Sequence, residues 1–343
     1  MPISPSDLND FAIRLLSAGG YPSAEAAATA ELLVWANLRG VDSHGVLRIP
    51  RYFEMVQSGA IRCGQTPTVI RDAGAICVID FGKAPGAVAM GHAAAKAGDL
   101  AGRFGLGWCA ARAISHAGAI GYFTERLARR GLIGIAMTAS RPLMSYFGAK
   151  GEALSTNPLS IAVPRAGGDP LLLDMSTAAV GLGKIMAARD AGKTIPPGWA
   201  VDARGAQTTD PHAVAAVLPM AGPKGSGLSL MIEVLSSVLV GNAVIGPLLN
   251  GTGKGGMNGL VLAVDPAAFG DPAQFGDGIE ELVRGIRQLE PTPDARQVML
   301  PGERGSQTAQ MRKEHGIPLA QGTIHRLTEL ARRHSVAVPP SLQ

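Results

Sequence analysis

Aromatic residues make up only 4% of this 343-residue chain and charged residues only 17%. The basic side chains are scattered, and 31 Lys and Arg against 27 Asp and Glu leave an excess of four charges. With few rings to stack on bases and no dense basic patch, nucleic-acid binding is not expected. Cysteine is scarce as well. Cys63, Cys77 and Cys109 show no metal-ligand spacing, so no metal is expected, and the odd count fits reduced thiols in a cytoplasmic protein. Long hydrophobic runs are missing too. The most apolar stretch, residues 228–240, is shorter than the ~20 residues a membrane span needs, contains Glu233 and stops at Gly241-Asn242. It reads as a buried helix, and no membrane contact is expected. The N-terminus has neither the basic start nor the apolar core of a secretory leader. Against these absences stands a hydrophobic content of 46%, which excludes disorder, on a chain long enough for two domains.

The ends of the chain read as helices. Ser4-Pro5-Ser6-Asp7 combines a capping hydroxyl, Pro in the first turn and an early acid, before Leu8, Phe11, Ala12, Leu15 and Leu16 on one face. A second helix follows Pro22-Ser23 with Ala28, Leu32, Trp35 and Ala36 inward, and a third follows Gly45 and closes at Gly59. From Thr66 the period changes. A hairpin turns at Asp72-Ala73-Gly74, and an Ala- and Gly-rich helix over 85–104 suits close packing. Strands at 106–111, 132–137, 160–163, 171–175 and 260–264 are interleaved with helices at 122–130, around 185–189 and from Gly225. Residues 250–259 read as a flexible glycine-rich loop, and helices return at 278–289, 307–315 and 323–333. The pattern is α/β. We expect a helical domain built from residues 1–65 and 275–343, with an α/β domain over 66–274 inserted between them.

The densest chemistry lies in residues 39–52, Arg-Gly-Val-Asp-Ser-His-Gly-Val-Leu-Arg-Ile-Pro-Arg-Tyr. Imidazole titrates near neutrality, so His44 can give or take a proton. Arg48 offers a planar fork that matches a carboxylate. Tyr52, one helical turn beyond Arg48, and Ser43 can orient a carbonyl or hydroxyl oxygen. Together they suit an anionic substrate whose oxygen or nitrogen gains a proton while carbon is transformed. The bland alternative is a histidine that caps a helix or is satisfied in the core, as a lone His often is. A second imidazole, His116, sits in Ser-His-Ala-Gly after a strand, where open α/β sheets place ligands; capping of a helix is the alternative there.

Three further groups suit a polar, phosphorylated ligand. Ser140, then Ser155-Thr156-Asn157, then Asp174-Met175-Ser176 place small polar side chains at strand ends, suited to sugar hydroxyls, carboxamides or phosphates. Lys224 and Gly225, in Gly-Pro-Lys-Gly, open a helix whose free amides and positive dipole end favour an anion. Pro301-Gly302-Glu303-Arg304-Gly305 reads alone as a turn before a helix. Gly181-Leu182-Gly183 lacks the third glycine of a Rossmann fingerprint, and Gly192-Lys193-Thr194 lacks the first glycine of a Walker loop and a strand before it. A dinucleotide would have to bind here without GxGxxG.

Ser43-His44-Gly45 with Arg48, His116-Ala117-Gly118, Thr156-Asn157-Pro158, Asp174-Met175-Ser176, Trp199-Ala200-Val201-Asp202, Thr209-Asp210-Pro211, Gly222-Pro223-Lys224-Gly225 and Pro301-Gly302-Glu303 together resemble the type-2 malate/L-lactate dehydrogenase family. The wording around His116, Trp199 and Lys224 is most similar to its ureidoglycolate dehydrogenase members. The resemblance runs nearly end to end. It implies a non-Rossmann NAD(P)-binding α/β domain inserted into a helical one, and a homodimer. It also implies that Ser140, Asp174, Met175, Ser176, Lys224, Gly302, Glu303 and Arg304 hold NAD or NADP, and that His44 or His116 is the acid/base. Ser155, where relatives usually have Gly, and the glycine-rich 250–259 loop depart from the pattern. The implied reaction is reversible hydride transfer between NAD(P) and the α-carbon of a 2-hydroxy/2-oxo acid of malate, lactate, ureidoglycolate or sulfolactate type. Reduction of cyclic imino acids such as pyrroline- or piperideine-2-carboxylate is the alternative. A non-catalytic scaffold is disfavoured because both histidines and Arg48 are present.

Overall fold

A computed structural model describes residues 2–253 and 255–343 of the chain. Helix α1 (Pro5–Ala18) begins as its sequence dictates: Ser4 Oγ accepts from the Asp7 N–H at 3.0 Å, and Leu8, Phe11, Ala12, Leu15 and Leu16 are buried. Helix α2 (Ser23–Leu38) departs from the expected single face. Its buried set, Ala26, Thr29, Ala30, Leu32, Leu33, Val34, Ala36 and Asn37, wraps most of the way round, while Ala28 and Trp35 are only half-buried. A helix covered on several sides loses the one-stripe periodicity used to orient it. Two single 3-10 turns, Asp42–His44 and Val46–Arg48, then lead into α3 (Ile49–Gln57), so the third helix starts later than expected, with Pro50 in its first turn.

Strands β1 (Thr68–Ala73) and β2 (Ile76–Ala84) form the expected hairpin, with Gly74 at φ +62°. Then come α4 (Gly86–Phe104), β3 (Leu106–Ile114), α5 (Gly121–Ala128), β4 (Ile133–Ser140), β5 (Leu159–Val163) and β6 (Leu171–Met175). Helix α6 (Leu182–Asp190), the short pair β7 (Ala200–Val201) and β8 (Ala216–Val217), α7 (Pro223–Glu233), α8 (Ile245–Leu249) and β9 (Met257–Val264) follow. The chain closes with α9 (Pro272–Arg287), α10 (Glu303–His315) and α11 (Gln321–Arg333). Among the described residues this makes an α/β fold whose mixed seven-stranded sheet runs β1-β2-β3-β9-β4-β5-β6. Only β2 and β3 pair parallel; every other neighbour is antiparallel.

The late strand β9 lies between β3 and β4, and its first residue, Met257, faces both Ile114 and Ser140. That register brings the carboxyl ends of β3 and β4 to one end of the sheet. The amino end of β5 and the carboxyl end of β6 join them there, since Leu159 pairs with both Met137 and Met175. The alanine-rich α4 approaches the sheet closely, as its composition suggested. A Cβ at Gly107 would lie 1.9 Å from the Ala97 carbonyl, and one at Gly259 would lie 2.1 Å from Met90 Sδ. At the termini Ile3 and Ile317 exchange two backbone hydrogen bonds of 3.1 and 2.7 Å, and α11 packs on α3. One continuous hydrophobic cluster runs from Ile3 through the α4 alanines to Leu342.

Two expectations need correction. The run 228–240 is not a buried helix. It is α7 followed by a π turn at Val234–Val238, and Met231, Val238 and Leu239 are 52%, 53% and 61% exposed. Its one charge is the inward residue: Glu233 is buried, and its Oε1 accepts from the Val244 and Ile245 N–H groups at 2.9 Å each. Capping the entry to α8 satisfies one oxygen of a side chain that hydropathy alone would put in water, while Oε2 has no partner among the described residues. Residues 257–259, expected in a loop, open β9, and Lys254 lies outside the described residues. Because Gly259 leaves no room above Met90, Gly259→Ala should destabilise the fold by ~1–3 kcal/mol. Urea unfolding with an unchanged midpoint would show that Met90 can move aside.

Candidate active site

Both candidate imidazoles meet on one side of the sheet end. His44, on its 3-10 turn, and His116, just past β3, stack with ring centroids 5.7 Å apart and planes inclined by 17°. Each has a hydroxyl at Nδ1: Ser43 Oγ at 3.0 Å for His44, and Tyr52 Oη at 2.9 Å for His116. Nε2 is thereby the nitrogen of each ring left to face a substrate. Arg48 Nε donates to the Ser43 carbonyl at 2.7 Å, which aims the guanidinium while its two terminal nitrogens remain for an anion. All five residues expected from the sequence, Ser43, His44, Arg48, Tyr52 and His116, thus form one cluster drawn from elements 64 positions apart.

The His116 loop is seated by close backbone contact. A Cβ at Gly86 would lie 2.2 Å from the His116 carbonyl, and the Gly86 N–H donates to Ser115 Oγ at 2.9 Å. Before the loop, Ala113 is held at φ +50°, a conformation costly for a residue with a Cβ, and its N–H donates to the buried Asn258 at 3.0 Å.

Burial lowers His44 to about 4, helped by the neighbouring Arg48 cation. Burial lowers His116 to about 3, with His44 and Arg48 adding to the effect. Both residues are half-buried. They are therefore neutral at pH 7, weakly basic, and strongly acidic once they hold a proton. Tyr52 is buried, which raises its phenol and keeps it neutral, so its oxygen can accept from His116 Nδ1–H and leave Nε2 with the lone pair.

The same end of the sheet collects the strand-end polar residues. Ser140 Oγ and Ser155 Oγ lie 2.7 Å apart, and Asn157 Nδ2 donates to the Ser229 carbonyl of α7 at 3.0 Å. The Thr177 N–H donates to the Thr156 carbonyl at 3.2 Å, and Ser176 Oγ accepts from the Ala178 N–H at 3.0 Å. Met175 pairs with Leu159, and Asp174 accepts from the Gly121 N–H at 3.0 Å, tying β6 to the start of α5 just beyond His116. The Asp174 residue is exposed, yet loss of hydration to the surrounding protein raises its carboxyl to about 6, against the lowering effect of the Gly121 N–H and Arg39. The first turn of α7, with exposed Lys224, abuts this cluster; a Cβ at Gly225 would lie 2.7 Å from the Thr177 carbonyl.

Gly302, Glu303 and Arg304 lie apart from it. Gly302, at φ +86°, packs against Leu172, three residues and about 10 Å back along β6 from Met175. Glu303 is committed to the Leu300 N–H at 2.9 Å and to Arg287 at 2.5 Å, contacts that lower its pKa; Arg304 is exposed. Sequence reasoning passed over Asn37, Arg39 and Arg312. Arg39 donates to the Gly302 carbonyl at 3.0 Å, Asn37 accepts from the Val46 N–H at 2.9 Å, and Arg312 reaches Asp42 at 2.8 Å. No local pattern signals these partners, which stand up to 270 positions apart.

Residues 3–328 match the malate/L-lactate dehydrogenase family. The chain belongs to that family. It is 34% identical to the malate dehydrogenase of Pyrococcus abyssi, covering 97% of this chain and 95% of the relative. Ureidoglycolate dehydrogenase (NAD(+)) of Escherichia coli is also 34% identical, over 88% of each chain. Among solved structures, delta1-piperideine-2-carboxylate reductase from Pseudomonas syringae superposes with a TM-score of 0.86 at 30% identity, over 96% of this chain and all of that one.

The depressed histidines fix the sign of a pH effect in this family member. Each ring binds a proton more readily unfolded, near pH 6.5, than folded, near 4 and 3. Their contribution to stability is therefore complete above pH 6.5 and is lost as pH falls toward 4 and 3. Urea unfolding between pH 7 and 4 should show that loss, with a shallower slope in His116→Gln. A ring resonance of either histidine titrating at 6.5 in the folded protein would contradict it.

Proposed function

We propose that this chain is an NAD(P)-dependent dehydrogenase that moves a hydride reversibly between the cofactor and the α-carbon of a small 2-hydroxy/2-oxo acid. The observation that carries this reading is the cluster of two neutral imidazoles beside a guanidinium whose fork is free for a carboxylate. Bound NAD(P) would supply or accept the hydride. Arg48 binds the substrate carboxylate, and its fork sets the angle at which the α-carbon is presented. The Nε2 of His44 or His116 takes the hydroxyl proton during oxidation and returns it to the carbonyl oxygen during reduction. Ser43 and Tyr52 hold the rings by Nδ1 and fix which face they turn to the substrate.

The strand-end surface suits a dinucleotide. Ser140, Thr156, Asn157, Asp174, Met175 and Ser176 present hydroxyl, amide and carboxylate groups beside the first turn of α7, where Lys224 and Gly225 favour a phosphate. Gly302, Glu303 and Arg304 extend the same strand edge, with Arg304 an exposed cation. Either NAD or NADP fits these groups. We place the boundary of a helical unit at 1–65 and 275–343, around an inserted α/β unit at 66–274. The paired termini and the single parallel strand pair support an arrangement unlike the doubly wound nucleotide fold. The exposed apolar face of α7 and its π turn supports a homodimer, which sedimentation velocity would detect.

Reduction of a cyclic imino acid uses the same parts, with the ring nitrogen receiving the proton. The likeness to the piperideine-carboxylate reductase structure favours keeping this second reading. A panel of 2-oxo acids and cyclic imines with NADH and NADPH should give turnover in one class. Arg48→Ala should then lower kcat/KM about 30- to 1000-fold, the loss of ~2–4 kcal/mol of charge-assisted binding. A loss of less than about threefold, ~0.7 kcal/mol, would remove Arg48 from the carboxylate.

A further inference from the structure

The turn that carries Ser43 and His44 has little holding it locally. Its own backbone bonds are those of isolated 3-10 turns: His44 N–H to the Val41 carbonyl at 2.9 Å, Gly45 N–H to Asp42 at 3.0 Å and Arg48 N–H to Gly45 at 3.0 Å. Such turns are short and poorly aligned, and do not by themselves keep a side chain in place. Yet proton transfer at His44 needs its ring held to within a fraction of an ångström. The restraint comes from both ends of the turn. At one end, the Asp42 carboxylate accepts from Asn37 Nδ2 at 2.7 Å and takes a two-pronged ion pair from Arg312, Nη1 at 2.8 Å and Nη2 at 3.2 Å. At the other, the Val46 N–H donates to Asn37 Oδ1 at 2.9 Å. Arg312 Nη1 also donates to the Asn37 carbonyl, so one guanidinium holds the backbone and, through Asp42, the side-chain amide of the same hub. Asn37 is buried, and Gly45 is pressed against it: a Cβ there would fall 2.2 Å from Asn37 Oδ1.

We propose that Arg312, on α10, is a positioning residue for His44. By clamping Asp42 and the end of α2 it fixes the Ser43–His44 turn against His116. The ion pair is suited to this work. The Arg312 side chain is 12% exposed and that of Asp42 46%, so the guanidinium is the sheltered partner, and a planar fork on a carboxylate sets orientation as well as distance. Lysine would keep the charge and lose the orientation. Arg312 touches neither imidazole and acts only through Asp42 and Asn37. The kinetic part of the inference rests on the dehydrogenase reading; the mechanical part does not.

The test compares the full-length parent with Arg312→Ala, Arg312→Lys and Asp42→Asn, by steady-state kinetics with the best substrate of the oxo-acid and imine panel and by amide hydrogen exchange across residues 42–48. Arg312→Ala should lower kcat about tenfold or more, while KM stays within about threefold because Arg48 still binds the carboxylate. Added guanidinium ion, far below denaturing concentrations, should restore part of kcat. Arg312→Lys should remain well below the parent, and exchange in 42–48 should quicken while the sheet stays protected. If Arg312→Ala fails to fold, Asp42→Asn and Arg312→Lys carry the same comparison. An unchanged kcat with unchanged exchange in 42–48 would overturn the inference, as would a loss seen in KM alone. A parent with no turnover on the panel would sink the dehydrogenase reading, and exchange in 42–48 would then decide the clamp by itself.

Discussion

Two imidazoles 5.7 Å apart beside a guanidinium cannot both hold protons at neutral pH in a site partly closed to water. Dehydration and the Arg48 charge act in the same direction, and together they make the pair neutral. Much else in the molecule serves that arrangement. The rings must be held without adding charge, and the hydroxyls of Ser43 and Tyr52 do so. The guanidinium must be aimed without being neutralised, and a carbonyl, not a carboxylate, takes its Nε proton. A carboxylate in that place would cancel the cation that we propose meets a substrate acid and would raise both histidines.

The sheet supplies the second half of the construction. Because β9 arrives late and inserts between β3 and β4, the chain ends that follow these strands are brought to one edge. His116, Ser140, Ser155–Asn157 and Asp174–Ser176 all leave the sheet there. The strain at Ala113 and the close seat of Gly86 under the His116 carbonyl then set where the second imidazole stands. The first imidazole comes from elsewhere, from the turn after α2. The two meet only because the α2 helix packs against α4 and α5 on the sheet.

Much of this was legible residue by residue. The cap at Ser4 and the burial of Leu8, Phe11, Ala12, Leu15 and Leu16 follow from local chemistry, which acts over one or two turns. The extents of β6 and α4 follow from pattern in the same way. Ser43, His44, Arg48 and Tyr52 were readable as a group because four of the five cluster members sit within ten positions of one another. The failures share one cause. The buried face of α2, the exposed face of α7 and the burial of Glu233 depend on what packs nearby, and hydropathy along a chain carries no record of that. Glu233 is inside because two amides of α8 await it, and neither amide lies in its own helical turn.

The amino-acid sequence alone determined the family resemblance, the helical ends around an α/β middle, and the chemical types gathered at residues 39–52 and around His116. These rest on short-range grammar and on motif wording, both contained in contiguous residues. Tertiary structure alone decided that Tyr52 would meet His116, and that the two rings would stack. It also decided that Arg312 would grip the turn bearing His44 from 270 positions away. Hydrogen bonds and ion pairs act over about 3 Å of space whatever the separation along the chain, so partners of this kind become visible only when the fold has brought them together.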